Sequence, residues 1–408
     1  MDISIQKSKL LNHQSIQITG SKSESNRLLL LKALYPQINI ENLSNSDDSV
    51  LMQKALQSDD KVVDIHHAGT AMRFLTAYFS IQEGREVILT GSSRMKERPI
   101  RILVDALKSL GADISYVENE GFPPLRICGK KLTEHKTFLE ANVSSQYISA
   151  LLLIASSLEN GLELSLKGKI TSVPYINMTL SLLDELEIKT EFNDNVIKVK
   201  PKTSELKPKT LVVESDWSSA SYFYSVVALS EVGSKLELAS YKENSLQGDS
   251  VLAEVYKDFG VETHFKGNSV TLTKSSDVKE QTSIDLDLSN APDIAQTISV
   301  TAFGLGIESN LVGLHTLKIK ETDRLVALKA ELEKLGAEIS ITDASLHLKP
   351  SKTIISNASI ATYNDHRMAM AFAPLGLKTA IHIQNADVVS KSYPQFWEDF
   401  KAIGFNLK

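Results

Sequence analysis

Six stretches of this chain share one design, in which a few small or polar residues open onto a run that is apolar on nearly every helical face. They begin at Ser23, Gly69, Ser144, Ser218, Asp293 and Asp365, with separations of 46, 75, 74, 75 and 72 residues. A period this regular marks a repeat architecture, in which each copy is one supersecondary unit that buries its apolar face against its neighbours. Each run is followed by a stretch with strand character, such as Val87-Ile-Leu-Thr or Leu162-Glu-Leu-Ser-Leu. A polar loop comes next, then an amphipathic helix ending near glycine, best seen from Ile102 to Gly111 and from Ala327 to Gly336. A hairpin-like pair closes the unit. The first copy is shortened.

A helix apolar all round is buried, and one that is half polar faces water. The pattern therefore predicts an α/β fold of buried helices covered by sheets and outer helices. Residues Lys200 to Thr210, with two prolines and four lysines, form the most linker-like passage and divide the repeats three and three. Two similar domains with a cleft between them is the expected organisation.

Composition narrows the function. With 44 basic and 50 acidic residues the net charge is −6, which disfavours a duplex-DNA or anionic-membrane binder. The single cysteine, Cys128, forms no internal disulfide and sits in a strand-like stretch where an inert thiol is expected. The N-terminus lacks the apolar stretch of a signal peptide, and the longest purely apolar run, Ala150 to Ala155, is far too short to span a membrane. A cytoplasmic, soluble protein is expected.

The openings of the six buried helices carry the chemistry. Helix N-termini expose unpaired N–H groups and favour anions, although serine there is also an ordinary N-cap. Lys22-Ser23 with Arg27, Gly69-Thr70 with Arg73, and Ser144-Ser145-Gln146 put cations or neutral donors at such ends. Three basic loops, Arg94 to Pro99, Lys318 to Arg324 and Lys391 to Pro394, fall at the same point of the repeat. Clustered cations in an acidic protein imply a small polyanionic ligand rather than a long polyanion. His66 and His67 are adjacent, not at metal-ligand spacing, so no metal is expected. Asp365-His366 is not read as a dyad, because neighbours on a helix point to different faces.

Ten of these segments, in order and over essentially the whole length, resemble the 5-enolpyruvylshikimate-3-phosphate synthases. They are Gly20 to Arg27, Ala68 to Arg73, Arg94 to Pro99, Ser144 to Gln146, Ser172 to Tyr175, Asp216 to Ser221, Pro292-Asp293, Lys320 to Arg324, Asp365 to Met370 and Lys391. The resemblance implies two domains, each of three βαβαββ-type repeats arranged like an inverse α/β barrel, with the active site in the interdomain cleft. One domain would hold residues 1–19 with 215–408, and the other residues 20–214. The implied reaction moves the enolpyruvyl group of phosphoenolpyruvate to the 5-hydroxyl of shikimate 3-phosphate and releases phosphate, in a monomer without cofactor, metal, nucleic acid or membrane.

The same resemblance assigns residues. Lys22, Ser23, Arg27, Ser144, Ser145, Gln146, Ser172, Tyr175, Asp293 and Lys320 would contact shikimate 3-phosphate. Lys22, Gly69, Arg98, Gln146, Arg324, Arg367 and Lys391 would meet phosphoenolpyruvate. Asp293 would be the base for the 5-hydroxyl, with Lys22, Glu321 and Lys391 serving the remaining proton and charge transfers. Loss of Arg324 would then mainly raise KM for phosphoenolpyruvate. Two positions depart from the pattern. His66-His67 stands where a small pair is usual, and Thr316 replaces an asparagine. Gly69 is kept, which implies sensitivity to glyphosate. The rival expectations are the sister enzyme acting on UDP-N-acetylglucosamine, which relies on a reactive loop cysteine, and a non-catalytic repeat scaffold.

Overall fold

In a four-stranded repeat unit the central strand pairs with both the first strand and the last, which shows how the period becomes structure. In the computed structural model, which describes residues 1–140, 144–168, 170, 173–278 and 283–408, four sheets have four strands in the same order. In the second copy, Val62–Asp64 lies parallel to Glu86–Thr90, which pairs antiparallel with Leu125–Cys128, itself paired with Asp113–Tyr116. The third copy repeats this with Lys136–Glu140, Leu162–Lys167, Val196–Val199 and Thr190–Asn193. The fifth does so with Ser283–Asp287, Glu308–Val312, Leu346–Leu348 and Ile339–Ile341.

The unit therefore begins one strand before the buried helix. A parallel strand, the buried helix, a central strand, an outer helix and a hairpin follow in turn, as parallel pairing needs a crossover helix. Three copies complete their sheets with strands from far along the chain. The fourth takes Gln14–Ile16 beside Lys235–Ala239, and the sixth takes Ile3–Ile5 beside Ile381–Ile383. The shortened first copy pairs Ile38–Glu41 with Lys209–Val212. The passage read as a linker is thus partly strand: its last two residues, Lys209 and Thr210, pair with Ile38 and Asn39.

The chain divides into two units, Met1–Thr19 with Glu214–Lys408, and Gly20–Val213. In the second, the helices Lys22–Leu34, Gly69–Ser80 and Ser145–Ala155 pack on one another; in the first, Ala295–Leu305 packs against both Trp217–Leu229 and His366–Phe372. Each trio lies within its unit's apolar core.

A helix buried on all sides must still satisfy its polar side chains. Three hydrogen bonds that do so here fall at the repeat period. Gln146 Nε2 donates to Thr70 Oγ1 at 3.2 Å, Ser221 and Thr297 share a 3.0 Å bond, and Thr301 donates to Ser225 at 2.7 Å. Each pair is 76 residues apart, one repeat. Polar side chains one repeat apart therefore lace successive copies together. The outer helices are half polar, as Arg101–Ser109 and Arg324–Lys334 show. Among the described residues no helix is long and apolar enough to cross a membrane.

Candidate active site

The openings of the buried helices are built in two ways. Ser21, Ser144, Asp216 and Asp365 cap their helices with side-chain oxygens. The helix from Gly69 and the one from Ala295 have no side-chain cap. Capping therefore accounts for four of the six polar openings, and the cap of the first helix is Ser21 rather than Ser23.

In the unit of residues 20–213, two arginines are buried without a carboxylate partner among the described residues. Arg27 is 2% exposed, and its guanidinium donates to Thr179, Ser149 and the carbonyls of Ser23 and Tyr175 at 2.7–3.2 Å. Arg73, 4% exposed, donates to the carbonyls of Gly69 and Pro99. Burial pulls both down to about 10, and for Arg73 the neighbouring Arg98 adds to the effect. Buried charge without a counter-ion favours binding an anion.

Around them lie the other expected residues of this unit. Lys22 Nζ is 3.8 Å from the buried Asp48. Ser23, Ser144, Gln146 and Tyr175 are half-buried and Ser145 is buried, while Ser172 lies outside the described residues. In the basic loop, Arg94 pairs with Glu97 and Lys96 with Glu118, both near the surface. Arg98 has no carboxylate partner among the described residues, and its guanidinium packs against Gly69. The structure thus separates one cation of that loop from two that are solvated pairs. His67 lies 3.8 Å from Asp47, and His66 adopts φ +46°.

In the other unit Lys320, Arg324 and Arg367 are matched by carboxylates. Arg324, 2% exposed, donates to Asp293 at 2.8 Å, to Glu321 at 2.8 Å and to Asp365 at 2.7 Å. Lys320 and Arg367 each approach Asp293 at 3.4 Å, and Arg367 also donates to the Asp293 carbonyl at 3.1 Å. Burial pushes the Asp293 carboxyl up, but Arg367, Lys320 and Arg324 outweigh it and hold the group below the usual carboxylate range. These neighbours favour the ionised form of Asp293. Burial likewise works against charge on Arg324 and Arg367, yet their carboxylate neighbours keep both raised.

Lys391 is half-buried, donates to the Asn364 carbonyl at 2.5 Å, and has no carboxylate partner among the described residues. Thr316 Oγ1 is buried without a hydrogen bond to the described residues. Cys128 ends the strand Leu125–Cys128, as its sequence context suggested.

Three groups escaped sequence reasoning. Asp365, which sequence gives no part in a dyad, is the N-cap of its helix, where its carboxylate accepts the Arg367 N–H at 2.9 Å and clamps Arg324. Asp249, 3% exposed, accepts a short hydrogen bond from Ser218, whose oxygen also accepts from Arg367 at 3.3 Å. Burial, then Asp293, raises the Asp249 carboxyl to about 7. Ser218 was signalled by its place at a helix opening and within the segment Asp216 to Ser221, and Asp249 by nothing.

A sequence model of the family described as EPSP synthase (3-phosphoshikimate 1-carboxyvinyltransferase) matches residues 53–400. The chain belongs to the EPSP synthase family. A 3-phosphoshikimate 1-carboxyvinyltransferase of Bacteroides fragilis (strain YCH46) is 47% identical over 399 residues, covering 97% of this chain and 96% of the relative. One from Histophilus somni (strain 2336) is 37% identical, covering 96% of each. The fold matches that of EPSP synthase from Acinetobacter baumannii with a TM-score of 0.81 at 20% identity, covering 100% of this chain and 99% of that one. The enolpyruvyl transferase NikO from Streptomyces tendae gives 0.75 at 13% identity, covering 100% and 98%. On this member of the EPSP synthase family, the unit of residues 20–213 carries Arg27, Arg73 and Arg98 without carboxylate partners among the described residues, and the other unit carries a matched charge cluster around Asp293.

Proposed function

We propose that this chain transfers the enolpyruvyl group of phosphoenolpyruvate to the 5-hydroxyl of shikimate 3-phosphate by addition and elimination, releasing phosphate. The observation that supports it best is the Asp293 centre: one carboxylate held ionised among Arg324, Lys320 and Arg367, in a chain with full-length relatives of this activity.

The 5-hydroxyl is a poor nucleophile, so Asp293 takes its proton as the oxygen attacks C2 of phosphoenolpyruvate; a positioned base of this kind contributes about 10²–10⁴ in rate. Cations that hold Asp293 ionised also lower its affinity for a proton. Anionic substrates that draw those cations toward themselves restore it. Glu321 or Lys391 delivers a proton to the methylene carbon, giving a tetrahedral intermediate, and loss of that proton with phosphate yields the enol ether. Lys22, Arg98, Arg367 and Lys391 hold the departing phosphate and the carboxylate, and arginine suits bidentate binding of such groups. Lys22, Ser23, Arg27, Ser144, Ser145, Gln146, Ser172, Tyr175 and Lys320 hold shikimate 3-phosphate. The chain works as a cytoplasmic monomer on small metabolites.

Phosphate release from the purified protein tests this. Release with phosphoenolpyruvate and shikimate 3-phosphate, and none with UDP-N-acetylglucosamine, is expected. Release with the nucleotide sugar instead would assign the sister reaction, and no release with either would overturn the proposal. Asp293→Ala should lower kcat by about 10²–10⁴ while KM moves only a few-fold.

A further inference from the structure

The turn ahead of the last buried helix is bent in a way its residues resist. Tyr363 (φ +53°) and Asn364 (φ +56°) are consecutive left-handed residues, and neither is glycine. Asparagine tolerates that region; tyrosine does not, and such strain persists only where surrounding contacts impose it. The contacts are visible. The Tyr363 hydroxyl donates to Glu331 at 2.6 Å, and the Ala361 N–H donates to the same carboxylate at 3.0 Å. Glu331 is fully buried, and its remaining partner is Lys334.

Glu331 and Arg324 stand on one helix, Arg324–Lys334, seven residues apart and therefore on one face. That helix grips the turn twice, through Glu331 to Tyr363 and Ala361, and through Arg324 to Asp365. Between the grips lies Asn364, whose carbonyl takes the Lys391 ammonium.

We infer that Tyr363 and Glu331 are positioning residues: their hydrogen bond holds the left-handed turn that sets where Lys391 and Asp365 stand. Neither residue is assigned a contact with substrate. The functional part of this inference rests on the role proposed for Lys391.

Strain and anchor can be separated by two substitutions of one residue. Tyr363→Phe keeps the strain and removes the anchor. Tyr363→Gly removes both, because glycine adopts positive φ freely. Tyr363→Phe should raise KM for phosphoenolpyruvate about five- to tenfold with kcat changed less than threefold, and Tyr363→Gly should lie nearer the wild type. Were the side chain only packing, the order would reverse, since phenylalanine keeps the ring and glycine loses it. Amide hydrogen exchange over residues 361–368 reads the turn without any turnover. Faster exchange in Tyr363→Phe than in Tyr363→Gly supports the inference, whereas exchange equal to wild type in Tyr363→Phe overturns it. Wild-type protein run alongside distinguishes the two failures. An inactive wild type counts against the proposed reaction, and an active one with unchanged variants counts against the clamp.

Discussion

The guanidinium of Arg98 rests on Gly69 so closely that a β-carbon there would lie 2.5 Å from Nη1 and 3.0 Å from Cζ. A side chain at 69 therefore cannot coexist with Arg98 where it stands. Gly69 opens a helix, and its φ is not left-handed, so alanine is tolerated by the backbone and favoured by helix propensity. The flexible end of Arg98 gives way instead. Gly69→Ala should leave the melting temperature unchanged or slightly raised, while KM for phosphoenolpyruvate rises about tenfold, the loss expected for one charge-assisted contact. Steady-state kinetics beside a thermal melt would check both halves, and an unchanged KM would detach Arg98 from that substrate.

Arg324 is a different kind of cation. Its donors are taken by Asp293, Glu321 and Asp365, and its removal deprives the buried Asp365 and two half-buried carboxylates of a cation. Taking one partner out of a buried ion pair costs about 3–5 kcal/mol. Arg324→Ala should therefore lose stability first, seen as a lower urea midpoint for the unit that contains it. A variant with wild-type stability and only a raised KM would return Arg324 to the simpler role that sequence alone suggests.

The contrast between Arg98 and Arg324 marks what the sequence could and could not disclose. The repeat was legible because buried helices must be apolar on every face, and a 75-residue period leaves few other readings. What stayed hidden was partnership. Nothing local distinguishes Arg94, paired with Glu97, from Arg98, which rests on Gly69. Nor could spacing show that Ile3–Ile5 and Gln14–Ile16 complete sheets more than 200 residues away, since pairing of distant strands leaves no periodic trace. Asp249 was invisible for the same reason: its environment comes from Ser218, Arg367 and Asp293, none of them its neighbours in sequence.

Asp249 gives a pH prediction. Burial first, then Asp293 and Asp216, raise its carboxyl to about 7, against the opposing pull of Arg367 and the Ser218 hydrogen bond. An unfolded aspartate titrates near 3.9. Between about pH 4 and pH 7 the folded chain keeps a proton that the unfolded chain releases, so folding loses stability as pH rises through this window, and the loss is complete above it. Three pH units correspond to about 4 kcal/mol at most. Asp249→Asn never ionises and should be more stable than wild type at pH 8, with the advantage shrinking toward pH 4. Urea unfolding at both pH values measures this, and a difference independent of pH would mean that Asp249 does not titrate as its surroundings dictate.

Arg27 carries the complementary prediction. Four hydrogen bonds occupy four of its five N–H groups and leave one on Nη1. Because it has no carboxylate partner among the described residues and burial already pulls it down to about 10, its charge is held at a cost that an anion would relieve. The groups it touches do not depend on it, since Thr179 also donates to the Tyr175 carbonyl at 2.9 Å and its oxygen lies 3.0 Å from the Ser149 hydroxyl, which can donate to it. Arg27→Met should therefore fold with little change in unliganded melting temperature. Its response to ligand should differ sharply. Ligand at a hundred times its Kd stabilises a protein by about 2.7 kcal/mol, and loss of one charge-assisted bond weakens binding roughly ten- to hundredfold. Shikimate 3-phosphate that clearly raises the wild-type melting temperature should thus barely move that of Arg27→Met at the same concentration. An equal shift in both proteins would reduce Arg27 to a lattice of internal hydrogen bonds with no part in holding the phosphate.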